Sequence, residues 1–213
     1  MARRPVYRVS DAAPYFVCET VEFSYNGGFA VSQKQKNIVA IHASFNRVHP
    51  EARVLEISTK SIQPLGVELS AFHLLKEIPS LDCRIPVENV FQGGKVFAEG
   101  GPFSDLYGVS PREAKRDPRL WESGRLVAFY FDGEQYPTEP KTAFYDWIYA
   151  NALLENSSLV KALAQYDAFS DVEFNPQKSI NCQAKAAAIF VSLYRLGKLD
   201  VIRSFSNFAA IYK

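Results

Sequence analysis

Hydrophobic positions first recur every second residue. Val21, Phe23 and Tyr25 alternate with polar neighbours, so residues 5–25 read as one or two short strands, closed by the turn signal Asn26-Gly27-Gly28. The period then lengthens. Ile38, Ile41, Phe45 and Val48 keep the 3-4-3 spacing of one helical face, in a helix for which Ser32 is the expected N-cap. Lys34 and Lys36 fall in its opening turn, where the helix dipole disfavours cations. Two solvated lysines and a pair that meets a phosphate or sugar fit this placement equally. Residues 53–58 predict a strand, Thr59-Lys60-Ser61 a polar turn, and 66–72 an extended segment alternating apolar and polar. A loop containing Pro79 and Pro86 follows.

Residues 87–99 carry the most informative pattern. As a helix at about 100° per residue, they place Val87, Val90, Phe91, Gly94, Phe97 and Ala98 on a broad apolar face. Glu88, Gln92, Lys95 and Glu99 stack on a narrow polar one. Gly93 and Gly94 each cost a helix roughly 1 kcal/mol relative to Ala. Close approach of another backbone or a ligand would account for that cost. Gly100-Gly101-Pro102 ends the segment.

Ser110-Pro111-Arg112-Glu113 spells a capping box with proline at the first helical position. Arg112, Lys115, Arg116 and Arg119 follow as the one local basic cluster, which fits a solvated face better than a contact with DNA phosphates. Residues 125–131 read as a buried strand closed by Asp132-Gly133. Beyond Thr138 the chain turns helical. One helix lies near 140–155 and a second near 157–166; after a polar, aromatic loop at 169–176, an Ala-rich third stops at Gly197. No linker, low-complexity tract or repeat interrupts residues 1–213, so one compact domain is expected.

Composition narrows the chemistry. A chain of 213 residues can bury a sizeable core, and its sixteen Phe and eleven Tyr supply both volume and flat stacking surfaces. The net charge of +1 argues against a dedicated DNA binder, so contact with nucleic acid should be local. Cys18, Cys83 and Cys182 are scattered, which favours reduced thiols over a metal site or disulfide framework. No apolar leader or membrane-length run is present, and a soluble cytosolic (cytoplasmic) protein is expected. His42, His49 and His73 are dispersed, and no P-loop, GxGxxG, GxSxG or HExxH occurs. Carboxylates, lysines and amides remain. Glu88 with Lys95 makes a workable acid/base or electrostatic pair, and Gln92, Asn181 and Gln183 suit hydroxyls and a base edge. Such a set fits chemistry at a sugar's anomeric carbon. It also fits a lysine amine that captures an opened sugar aldehyde.

The run from Glu88 to Phe97 (Glu88-Asn89-Val90-Phe91-Gln92-Gly93-Gly94-Lys95-Val96-Phe97) resembles the E-x-x-F-Q-x-x-K-x-F signature of the NADAR (YbiA-like) superfamily. Leu69-Ser70-Ala71-Phe72 sits where that family carries its FSNF-like segment, and Lys178-Ser179-Ile180-Asn181 where it has a polar turn before a long small-residue helix. The chain is most similar to the NADAR antitoxins found beside DarT-type toxins that ADP-ribosylate DNA. Ser32-Gln33-Lys34-Gln35-Lys36, Leu55–Ser61, Glu139–Trp147 and Phe174–Ala184 extend the likeness over about residues 20–200. The family's Trp-Gly pair is replaced here by Phe174-Asn175. A literal FSNF at Phe205-Ser206-Asn207-Phe208 lies after the last family segment and reads as a packing tail.

The resemblance implies an α+β, mainly α-helical fold with a few short strands, and hydrolysis of ADP-ribose from guanine in single-stranded DNA. It implies no metal or cofactor, ADP-ribose as product and a DarT-type toxin as counterpart. Carried onto this chain, it makes Glu88 the catalytic carboxylate and Lys36 or Lys34 the lysine that engages the ribose. Ser58, Lys60, Ser70, Phe72, Gln92 and Lys95 would line the nucleotide cleft, with Asn181 and Gln183 on the opposite wall and Asp171 orienting a ribose hydroxyl. Three alternatives stay open: an N-glycosidase of a phosphorylated small molecule, a non-catalytic ADP-ribose reader, and an antitoxin that grips its toxin.

Overall fold

The computed structural model describes residues 1–213, about 42% of them helical and 20% in strands, an α+β mixture. The chain runs β1 (Ala2–Val9), β2 (Phe16–Phe23), α1 (Val31–Asn46), β3 (Val54–Glu56), α2 (Pro64–Glu68), β4 (Leu75–Ile78), β5 (Cys83–Pro86) and α3 (Val87–Gly93). It continues with β6 (Lys95–Phe97), α4 (Pro111–Ala114), α5 (Arg119–Glu122), β7 (Leu126–Phe131) and β8 (Glu134–Tyr136). It closes with α6 (Ala143–Glu155), α7 (Ser157–Leu163), β9 (Ala168–Ser170), α8 (Gln183–Arg195) and α9 (Phe205–Ala209).

The main sheet has the order β2-β1-β9-β3, antiparallel except for β3 beside β9. Both its faces are covered, and the alternation of side chains decides what goes where. Val6, Val54 and Ala168 point toward α1, whose Ile38, Ile41 and Phe45 complete a small core. Their neighbours Tyr7, Leu55 and Phe169 point the other way, into the large core around α6 and α8. Ala184, Ala186, Ala187 and Ala188 keep α8 slim enough to pack between α6 and the sheet.

Several local expectations change. The helix expected over 87–99 stops at Gly93, and Lys95–Phe97 is instead an edge of the three-stranded antiparallel sheet β6-β7-β8. The glycine pair explains the break. A Cβ on Gly94 would sit 2.5 Å from the Tyr130 carbonyl oxygen, and one on Gly93 would sit 2.5 Å from the Tyr107 ring. Backbone does approach at the glycines, and it converts helix to strand there. Tyr130 N–H donates to Gly94 O at 2.6 Å, while Glu99 leaves the polar stripe and pairs its backbone with Ser123.

The segment expected to be extended over 66–72 is α2 followed by a tight turn, and Gly66 is pressed so close to the Glu56 carbonyl that a Cβ would meet it at 2.0 Å. The expected loop around Pro79 and Pro86 is the β4-β5 hairpin. The first helix starts after Ala30 rather than Ser32, and Val48 lies beyond its end, exposed. β9, a central strand, falls where a loop was expected, because three residues are too few to show a period. The capping box at Ser110 forms as expected, with both reciprocal hydrogen bonds. The C-terminal Phe205–Ala209 segment packs: Phe208 is fully buried, and Phe205 lies edge-on to Tyr136 and Trp147.

Candidate functional site

A cleft of ≈ 640 Å³ opens between two walls. One is built from α3 and α4, the other from the segment that links β9 to α8, with the turns after β3 and α2 as its floor. That volume lies within the usual range for a small-molecule site, about 300–1,000 Å³.

The α3 wall is organised by Glu88. The backbone N–H groups of Val87 and Glu88 donate to the carbonyls of Leu74 and Ala71, each at 2.9 Å, which fixes the helix start against the floor. Glu88 is 4% exposed, and its carboxylate accepts from Gln92 Nε2 at 2.8 Å, one helical turn on. Gln92 Oε1 in turn accepts from Lys95 Nζ at 2.7 Å. The amide thus separates the carboxylate from the ammonium and orders both. Lys95 Nζ also lies 4.7 Å from the Phe91 ring centroid. Burial pushes the Lys95 amine down to about 8, with Lys115 adding to the shift and Glu88 opposing it. Lys115 reaches over the edge of the cleft, 3.5 Å from Glu88 Oε1 and 5.4 Å from the Phe72 ring centroid.

The opposite wall is organised by Asp171. Its Oδ1 accepts the N–H groups of Glu173 (3.0 Å) and Phe174 (3.1 Å), and its Oδ2 accepts Gln183 Nε2 at 3.0 Å. Gln183, the first residue of α8, also donates to Ile57 O and accepts from Ala71 N–H, both at 2.7 Å. One side chain therefore ties three segments that are distant in sequence. Beneath the floor, buried Glu56 accepts from Val172 N–H at 2.8 Å and from Ser170 Oγ, which also meets His42 Nε2 at 2.9 Å. Burial raises the carboxyls of Asp171 and Glu56, and the charge of Glu56 raises Asp171 further. The Asn181 amide oxygen is buried without a hydrogen-bond partner. Ser58 Oγ accepts Lys60 N–H at 3.1 Å, and Ser70 Oγ pairs with His73 Nδ1 at 3.0 Å.

The cleft gathers Glu88 and all nine of the side chains expected around it: Ser58, Lys60, Ser70, Phe72, Gln92, Lys95, Asp171, Asn181 and Gln183. It does not gather the two α1 lysines. Lys34 stands at the rim, tied to Glu173 at 2.8 Å. Lys36 is exposed in a separate shallow depression with Ser32, Gln35, Val39 and Ile62. The face of α1 that docks on the sheet carries Asn37, Ile38, Ile41 and Phe45, and this rotation turns Lys36 outward.

The basic cluster also departs from expectation. Arg112, Lys115 and Arg116 line the cleft mouth rather than a purely solvated face, whereas Arg119 is held by Asp105 and Asp117. Counting Lys60, Lys95 and Lys178, the cleft carries six cations against Glu88, Asp171 and Glu173. Sequence reasoning overlooked Tyr145 and Phe174, which supply apolar surface deep in the cleft. No periodicity could have separated them from core residues, since both are almost wholly buried.

No helix is long and apolar enough to cross a membrane. No curated protein matches the sequence. A family model described as DarT1-associated NADAR antitoxin matches residues 2–213. The chain therefore belongs to the family of DarT1-associated NADAR antitoxins, in keeping with a cleft whose signature residues Glu88, Gln92 and Lys95 are joined by hydrogen bonds.

Proposed function

We propose that this antitoxin is a glycosidase that removes ADP-ribose from guanine in single-stranded DNA. The observation that carries the reading is the ordered chain Lys95–Gln92–Glu88, opened to a cation-rich cleft and faced by Asp171. Cleavage of an N-glycosidic bond passes through an oxocarbenium-like state, which a nearby carboxylate stabilises. Glu88 fills that part and takes a proton from the attacking water. The C–N bond breaks with its electron pair leaving on the base, which gains a proton, while the water oxygen bonds to the anomeric carbon.

The lysine role passes from Lys36 or Lys34 to Lys95. An amine brought down to about 8 is partly neutral near physiological pH. Once the base has left, Lys95 can therefore condense with the opened ribose aldehyde, expelling water to form a Schiff base that water then hydrolyses to free the amine and the sugar. Lys60 and Lys178, which make no ion pair, suit the diphosphate. Asp171 and the Asn181 amide oxygen offer acceptors for ribose hydroxyls.

The test is incubation with single-stranded DNA ADP-ribosylated on guanine, with a thymine-modified strand as control. ADP-ribose released from the guanine strand alone supports the reading. Release only from phosphorylated small N-glycosides would point to the sister activity, and tight ADP-ribose binding without turnover would point to a reader.

A further inference from the structure

We infer that Arg112 on α4 and Arg116 in the turn just after it form a phosphate track that carries the flanking, unmodified part of a single DNA strand out of the cleft. The inference rests on the glycosidase reading for its substrate, but on separate residues for its evidence. Four cations stand close together in sequence, and they meet different fates. Arg119 is saturated by Asp105 at 2.6 Å and Asp117 at 2.8 Å. Lys115 is drawn toward Glu88 and Phe72. Arg112 and Arg116 make no ion pair and no side-chain hydrogen bond, yet both line the cleft mouth. They stand four residues apart, one on α4 and one in the turn held to it by the Arg116 N–H to Glu113 O bond, and each brings a planar fork that suits a phosphate.

Charge and rigidity favour the same assignment. A diphosphate is matched by Lys60 and Lys178, which leaves the α4 side with a cationic surplus. The whole chain is only +1, so that surplus is local rather than a general property of the surface. α4 and the turn tied to its end display it from a fixed platform: the capping box is complete, Ala114 is fully buried, and the helix packs on α3. The strand must be single or locally opened. Glu88 lies low in a two-walled cleft, and a base held in a duplex stack cannot reach it without extrusion.

The decisive experiment pairs binding with kinetics in Arg112→Glu/Arg116→Glu and in Arg112→Lys/Arg116→Lys. Binding is read by fluorescence anisotropy of an unmodified single-stranded oligonucleotide across a salt series. Kinetics compare an ADP-ribosylated oligonucleotide with ADP-ribosyl-guanosine. Charge reversal should weaken strand binding at least tenfold and reduce the salt slope by roughly 1.4 or more, the share of two phosphates on a single strand. The selectivity for oligonucleotide over nucleoside should fall by a similar factor through KM, and the lysine pair should recover most of it. An unchanged affinity and slope would overturn the track, as would an equal loss on both substrates, which would assign the guanidinia to ADP-ribose itself. Duplex DNA or RNA bound more tightly than the single strand would overturn the assignment of strand type. If the wild type hydrolyses neither substrate while charge reversal still weakens strand binding, the track stands and the glycosidase reading falls. If hydrolysis of both proceeds with strand binding untouched, the track alone falls.

Discussion

Two buried carboxylate–lysine sets in this molecule have similar ingredients and opposite consequences. Asp146 and Lys185 meet directly inside the core at 2.7 Å, and Tyr212 donates to the same carboxylate at 2.6 Å while Lys185 also reaches Thr142. Nothing can enter between them. Glu88 and Lys95 are held apart by Gln92, which bonds to both, and the resulting chain faces an open cleft. A direct pair compensates its charges through Asp146 Oδ2, leaving Oδ1 without a hydrogen-bond partner, and becomes a clasp that ties the C-terminal segment to α6 and α8. A spaced pair keeps an amine and a carboxylate ordered without contact between them, with exposed Lys115 at 3.5 Å as the carboxylate's ion-pair partner. Burial and pairing alone therefore do not mark a site; the interposed amide and the opening do.

The largest test of that contrast is Glu88→Gln. Turnover should fall at least ~10³-fold, in the range lost with a key charge-stabilising group, while ADP-ribose binding and the melting temperature hold. Full activity in a single-turnover assay of this variant would remove Glu88 from the chemistry. Asp146→Ala should do the reverse. Leaving Lys185 buried and unpaired costs about 3–5 kcal/mol, seen as a lower urea midpoint, with turnover per folded molecule close to wild type.

Lys95 sharpens the comparison through pH. If its neutral amine reacts, kcat rises with pH and levels off above an apparent value near 8. Lys95→Arg keeps a cation but has no neutral amine at accessible pH, so it should lose about a hundredfold in rate together with that limb. A wild-type profile flat between pH 6 and 9 would count against the amine. The smallest effect concerns His42, a partly buried titratable group in neither set. Burial holds its folded value at about 4, against about 6.5 when unfolded. Its stabilising share is therefore complete above about 6.5 and is lost as pH falls toward 4, amounting to roughly 2 kcal/mol between pH 7 and pH 5. His42→Gln should flatten that part of the urea-midpoint profile.

These contrasts show what a linear reading can reach. The Glu88–Gln92 contact was legible because four-residue spacing brings side chains together on any helix. Lys95 was reached through a wrong intermediate: it starts a strand, yet a tight exit at the glycine pair still leaves it beside Gln92. That Lys34 and Lys36 do not line the cleft was not legible, because the dipole argument is local, whereas the direction a helix face points is set by the sheet beneath it. Arg112 and Arg116 were underestimated for the same reason, since their cleft exists only once α4 has packed on α3. Strand β9 and the β4-β5 hairpin were too short to show a period, although β9 holds the centre of the main sheet.

The triple contact of Gln183 bears on how this antitoxin is made and lost. Floor and far wall are drawn from residues near 57, 71 and 171, and one amide that follows all of them in the chain joins them. Synthesis must pass residue 183 before floor and far wall can be joined in this way, and loss of α8 would remove the link. The cleft is thus an assembled feature: without the Gln183 amide, its floor and its far wall are no longer held together by this side chain.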